Sequence, residues 1–237
     1  MVDFKKHLVK RDTRKPLDPI QIYDTLDRAS DKGPLRPAQL ALLTEWHKNH
    51  RDRRDIILKL HTGQGKTLIG LLMLQSKLNE SGGSVMYLCA NNFLVNQTCD
   101  QARQFGVQHC VAEGDLPVDF LEGKSILITS VQKLFNGLTK FRSGPHSIPV
   151  SSLLMDDCHA CIDSIRDSFS IKLPRSAPAY EQIVNLFAAS LEDQGVGTFA
   201  DIRKGNHDTL LPVPSGIGKK DRRKWSASYQ NSQIRRL

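Results

Sequence analysis

Two short stretches of this 237-residue chain bring together the residue types that phosphate and metal chemistry needs. The first is "LHTGQGKT", residues 60–67. Glycines at 63 and 65 allow a tight turn that sets backbone N–H groups against phosphate oxygens, where a Cβ would intrude. Lys66 offers a mobile positive charge to the β- and γ-phosphates of a nucleoside triphosphate, and the Thr67 hydroxyl is spaced to ligate Mg²⁺. Thr62 and Gln64 complete the turn. Leu60 stands where the strict G-x-x-x-x-G-K-[ST] pattern has a small residue. The bland alternative is a chance Gly-rich turn, and the flanking elements argue against it.

The second stretch is "LLMDDCHACID", residues 153–163, an apolar run that stops on two carboxylates, a thiol and a histidine. Zinc would need about four ligands, and the single Cys158-x-x-Cys161 pair has no second pair at zinc spacing. A redox Cys-x-x-Cys is disfavoured because Asp156 and Asp157 would raise the thiol pKa. Both cysteines then read as small apolar packing residues, with no zinc expected. A phosphate-loop ATPase, in contrast, needs an acidic residue at the end of a neighbouring strand to hold Mg²⁺ and a carboxylate beside it to orient water. Asp156 and Asp157 supply both, and His159 follows close enough to sense the γ-phosphate. ATP and Mg²⁺ are the ligands that the two stretches imply together.

Such residues act only where folded elements place them. "RDIILKL" ahead of the first stretch is apolar, partly β-branched and bounded by charge, which predicts a buried strand. "LIGLLMLQSKL" continues as a helix, so its N-terminal dipole adds to the phosphate site. Further on, "SVMYLCA", "VQHCVA", "KSILITS" and "VSSLLMDD" read as strands, with helices over "NFLVNQTCDQARQF" and "VQKLFNGL". Upstream, "RPAQLALLTEW" reads as a helix opened by Pro37, and a short helix is expected near "IQIYDTLDRA". This alternation predicts an α/β fold, a mainly parallel sheet with helices on both faces. Beyond Pro174 only "APAYEQIVNLFAASLED" is a fair helix. The organisation expected is a lead-in over 1–34, an ATP-binding domain over 35–214 and a basic tail over 215–237.

Composition narrows the classes further. No apolar run nears the roughly 20 residues that cross a bilayer, and no membrane partner is expected. The N-terminus lacks an apolar secretion core, and five cysteines without export fit a reducing cytoplasm. Of the net charge of +8, six lie in the last 19 residues, where seven basic residues face Asp221. The composition turns at about Ser215, a change that fits a genuine tail or a truncated or frame-shifted end alike.

"LRPAQ", "HTGQGKT", "CANNFLVNQ", "ILITSVQKL" and "MDDCH" resemble, in order and rough spacing, the motifs of superfamily 2 DEAD/DEAH-box helicases and translocases. The nearest look is to the bacterial group that includes restriction-enzyme motor subunits. The resemblance covers roughly residues 35–163. It implies that Arg36 and Gln39 hold the adenine or the phosphate loop, and that Thr62 to Thr67 form the nucleotide motif. It implies a DNA or RNA backbone contact through Asn91, Asn92, Leu94 and Gln97, and another through Thr129 or Ser130. Ordinary helix capping would also account for Asn91, Asn92 and Ser130. Ala90-Asn91 replaces the usual Pro-Thr, and Asp157 replaces the usual Glu. A carboxylate one methylene shorter must reach its water differently, and a misplacement of about 1 Å can cost on the order of a hundredfold in rate.

The resemblance also implies that this domain is a three-layer RecA-like phosphate-loop domain, with a second RecA-like motor domain as partner. Neither a Ser-Ala-Thr nor a glutamine-glycine-arginine motif follows "DDCH". The functional expectation is the ATP-binding half of a helicase or translocase. The alternatives are a truncated module that binds without turnover and a stand-alone phosphate-loop switch; "RPAQ" and His159 argue against the latter. The basic tail should add only non-specific, salt-sensitive polyanion binding. Deleting residues 219–237 should flatten the slope of log affinity against log salt by up to about 5, at roughly 0.9 per phosphate contact, with nucleotide binding intact. Salt titrations of DNA binding check this; unfolding on truncation would place the tail in the core.

Overall fold

The computed structural model describes residues 15–136, 139–141, 147–170, 173–206 and 208–213. Helices α1 (Pro19–Thr25), α2 (Pro37–Glu45) and α3 (Lys66–Ser81) lead into strand β1 (Val85–Cys89) and helix α4 (Asn92–Gln104). Then come β2 (His109–Cys110), α5 (Val118–Leu121), β3 (Ile126–Ser130), α6 (Val131–Leu134), β4 (Ser152–Met155) and α7 (Cys158–Ser168). Helices α8 (Pro178–Leu186), α9 (Ala188–Glu192) and α10 (Val196–Lys204) complete the order. Backbone contacts divide the chain into a unit of residues 1–170 and a unit of residues 171–237. The basic tail expected from 215 lies outside the described residues.

The first unit is a three-layer α/β sandwich built on a parallel sheet in the order β2-β3-β1-β4. In register, Tyr87 of β1 lies between Ile128 of β3 and Leu154 of β4. Every residue of β1 and β3 is buried, because helices cover both faces and leave no polar side to alternate with. The period of two sends Val85, Tyr87 and Cys89 to one face, where they meet Leu71, Leu74 and Leu78 of α3 and Val95, Cys99 and Ala102 of α4. Met86 and Leu88 face the other way, against Phe120, Val131 and Cys161 from α5, α6 and α7.

Helix α3 is apolar almost all round, so it needs a second partner besides the sheet. Helices α1 and α2 provide it, packing Ile22, Tyr23 and Leu43 with Trp46 against Leu68, Ile69 and Leu72. Each fully buried leucine contributes roughly 2 kcal/mol by transfer. Asp18 opens α1 by accepting from the Ile20 amide at 2.9 Å, with Pro19 at the first helical position. Arg51, just past a π turn over Trp46–His50, donates to the Ser76 hydroxyl at 3.1 Å and to the Glu80 carboxylate at 2.6 Å. That bond, with Lys77 beside it, holds the Glu80 carboxyl below its ordinary value.

One expected element is absent. The strand predicted over 54–60 joins no ladder among the described residues, and Ile57 is 91% exposed. An apolar, β-branched run gives the propensity for a strand, but a strand exists only where a neighbour takes its backbone hydrogen bonds. Edge strand β4 pairs with β1 alone. Only Leu60 of the run meets the core, beside α1 and α2.

In the second unit the helix expected over 177–193 is two helices, α8 and α9, meeting at Phe187. Phe187, Leu191 and Phe199 form its small core. Helix α10 occupies a stretch in which the sequence pattern showed no element; Gly205 at φ +85° ends it, and the Arg175 guanidinium donates to the Arg203 and Lys204 carbonyls.

The turn after α4 is set by Gly106, at φ +70°, where a Cβ would stand 2.3 Å from the Asp27 carbonyl oxygen. Gly106→Ala should therefore lose at least about 2 kcal/mol, since neither the backbone angle nor the facing carbonyl can yield cheaply. Gly33→Ala, with nothing within 4 Å of its Cβ, should stay within about 0.5 kcal/mol. Urea midpoints decide; equal midpoints for the two variants would refute the close approach.

Candidate nucleotide-binding site

The loop between residue 60 and α3 has the backbone that phosphate binding demands. Gly63 stands at φ +84° and Gly65 at φ +77°, both left-handed, and Gly65 is the residue from which α3 starts. No side chain caps α3, so its first amides and its dipole face the loop. Lys66 is exposed and Thr67 half-buried at the first two helical positions, with Thr62 and Gly63 exposed beside them.

Helix α2 clamps this loop from the side. Gln39 caps the start of α2, the Arg36 amide donating to its Oε1 at 2.9 Å. The Arg36 guanidinium reaches on to the Gly63 carbonyl at 2.9 Å, and the Gln39 amide nitrogen to the Gln64 carbonyl at 3.1 Å. A Cβ on residue 65 would lie 2.2 Å from Gln39 Nε2. The left-handed angle favours glycine at 65, and a side chain there would also push Gln39 off the loop. The pair expected to hold the adenine or the loop here holds the loop.

The second stretch arrives at the carboxyl ends of the strands, where parallel α/β sheets bind ligands. Asp156 follows β4 directly and its amide donates to the Leu88 carbonyl at 2.9 Å. Leu154 and Asp156 share a face by the period of two, which is the face of α3. Asp157 caps α7, its carboxylate accepting from the Ala160 amide at 3.4 Å, and it has φ +50°, the one left-handed non-glycine among the described residues. His159 is exposed in the first turn of α7, with Nδ1 3.8 Å from Cys158 Sγ.

The two cysteines do not share the packing role expected of them. Cys161 is buried, its thiol donating to the Asp156 carbonyl at 3.1 Å, and burial pushes it up to about 12. Cys158, the first residue of α7, is exposed. Among the described residues no cluster of three or more His, Cys, Asp or Glu could hold a metal.

A residue that the motifs did not point to neighbours both stretches. Tyr87 is fully buried on β1, with Asp156 and Thr67 as polar neighbours of its phenol. Burial, with the Asp156 carboxylate beside it, holds the phenol well above its ordinary value, so it stays a neutral O–H. The signal was a phenol inside the apolar run "SVMYLCA", since a buried tyrosine needs a polar partner.

The residues expected at a nucleic-acid backbone divide into two sets. Asn91, Asn92 and Gln97 are exposed, and Asn91 caps α4 by accepting from the Leu94 amide at 3.0 Å. Thr129 and Ser130 are buried at the end of β3, and Ser130 starts α6 without a side-chain cap. The structure does not display the latter pair on the surface.

The oxygen donors of Thr67 and Asp156 suit Mg²⁺, a hard cation that keeps several waters and takes one or two protein oxygens beside substrate phosphates. No curated protein and no solved structure matches the chain. The profile of one family, described as type III restriction enzyme, res subunit, matches residues 32–194, more than half of the chain. This match spans the loop, its α2 clamp and both aspartates, and the chain therefore belongs to that family, with its helicase-like RecA-type ATP-binding motor domain.

Proposed function

We propose that this chain is the ATP-binding half of a superfamily 2 DNA or RNA helicase or translocase, coupling ATP hydrolysis to nucleic-acid remodelling when a second RecA-like domain joins it. One observation carries the proposal: two left-handed glycines feed an uncapped 16-residue apolar helix at the carboxyl edge of a parallel sheet, with Asp156 alongside. In this reading the loop amides and Lys66 cradle the phosphates. Thr67 and Asp156 hold magnesium, which when bound neutralises charge on the phosphate oxygens. Asp157 orients the attacking water and His159 senses the γ-phosphate. Asn91, Asn92 and Gln97 meet the nucleic-acid backbone. An arginine from the second domain would add about 10³ to 10⁵ in rate by analogy with related phosphoryl-transfer systems.

A second reading, binding without turnover, draws on the role of Asp157 as helix cap. A carboxylate committed to the Ala160 amide has one oxygen fewer for water.

Calorimetry and ATPase assays with and without DNA and RNA test both readings. Lys66→Ala should abolish Mg·ATP binding, and unchanged affinity would remove the loop from the site. Asp156→Asn should weaken metal-dependent binding, while Asp157→Asn should bind almost normally and lose any hydrolysis. Asp157→Glu should preserve or raise turnover about tenfold in the presence of a second motor domain, a gain of about 1.4 kcal/mol in the transition state. The same change should lower stability by about 1 kcal/mol, because Glu is a poor helix cap. No nucleotide-dependent turnover in any nucleic acid, with binding intact, would favour the second reading.

A further inference from the structure

We infer that the carboxyl edge of the sheet takes a single strand of nucleic acid, with an unpaired base stacked on the Phe93 ring and a phosphate on Lys133. This rests on the nucleic-acid reading above and deepens it, because a stacking ring needs a base face that a duplex hides. Neither the core nor the helix calls for phenylalanine at 93. The ring is 76% exposed and packs against none of the buried clusters among the described residues. It stands second in α4, where Asn91 already caps the helix by accepting from the Leu94 amide. Phenylalanine is also a weaker helix former than the alanine or glutamate that would serve there. Its surroundings are polar: Asn92 precedes it, and Gln97 lies one turn on, both exposed. A docking face for a protein has an apolar centre of several residues. One ring flanked by amides instead matches a base, which offers a π face to the ring and donors and acceptors to the amides.

The phosphate contact follows from the sheet. Cys89 of β1 and Ser130 of β3 are register partners on neighbouring parallel strands, so the two strands end level, about 4.8 Å apart. Phe93 is the fourth residue past Cys89 and Lys133 the third past Ser130. Helix α4 covers one face of the sheet and α6 the other, so a strand seated on both residues crosses the edge from face to face. Lys133 is exposed, and its ammonium donates to the Ala112 carbonyl at 2.6 Å. A carbonyl occupies one of the three donors without neutralising the charge, and two remain for phosphate oxygens. In the loop after β2, Asp115 is paired with Lys140 at 2.6 Å, while Glu113 is exposed. The charge of this edge is therefore small, and stacking has to carry most of the affinity.

The test is binding of the full chain to a single-stranded DNA of about 12 nucleotides, to the same strand with every base removed, and to the duplex, by fluorescence anisotropy across a salt series. Phe93→Ala should weaken binding to the intact strand about tenfold and leave the salt slope unchanged, since stacking displaces no counterions. On the abasic strand and on the duplex the same change should stay within about twofold, because neither offers a free base. Phe93→Tyr, which keeps a ring, should bind the intact strand within about twofold of wild type. Lys133→Gln should weaken the intact and abasic strands alike and reduce the slope by about 0.7, one phosphate on a single strand. Unchanged affinity in Phe93→Ala, or an equal loss on the abasic strand or the duplex, overturns the inference and leaves the backbone contacts standing. Wild-type protein that binds none of the three overturns the nucleic-acid reading, and the inference with it.

Discussion

Helix α3 is held on two sides at once, and the site depends on that constraint. Its Leu71, Leu74 and Leu78 belong to the sheet face, while Leu68, Ile69 and Leu72 belong to the cluster with α1 and α2. A helix packed on one face could roll or slide by a fraction of a turn at small cost. One buried on both would have to uncover leucines worth roughly 2 kcal/mol each. The start of α3 is therefore fixed in space, and with it the amides and dipole that end at Gly65. Arg36 and Gln39 extend the same rigidity into the loop, because α2 is anchored in the second cluster through Leu43.

The sheet fixes the other half of the site. Parallel strands finish on the same edge, so Cys89, Ser130 and Met155 end near one another, and each strand gives way to polar side chains at Asn91, Gln132 and Asp156. Tyr87 and Gly70 then tie strand to helix. The absent side chain at Gly70 lets the ring sit against α3, since a Cβ there would come within 3.1 Å of Tyr87 Cε2.

Much of this was legible in the sequence, for a physical reason. The runs at 85–89 and 126–130 are apolar because both faces are covered, and burial of that kind leaves a local signature. The phosphate loop was legible because glycine angles and a lysine cannot be supplied by other residue types. The run at 54–60 misled because a strand is a property of two segments, and the pattern of one cannot report that no neighbour pairs with it. The roles of Cys158 and Tyr87 were hidden for the same reason. One depends on where α7 starts, the other on a neighbour 69 residues away. The break at Phe187 was missed because its helical propensity is ordinary; its side chain is buried in the core of the second unit, and the backbone there leaves the helical region.

Asp157 shows how two demands meet on one residue. A left-handed backbone costs a non-glycine residue on the order of 1 kcal/mol, and aspartate is among the types that bear it best, through local hydrogen bonding. The same side chain starts α7 by accepting from Ala160, which offsets about the same amount. Glutamate would extend the carboxylate outward but would lose the cap and retain the strain. Glycine would relieve the strain and lose the carboxylate altogether. Aspartate alone meets the angle, starts the helix and keeps a charge at the carboxyl edge of the sheet, beside Asp156. The short side chain at this position is thus set by the turn from β4 into α7, and the reach to any water has to be met by that turn's own displacement of the backbone.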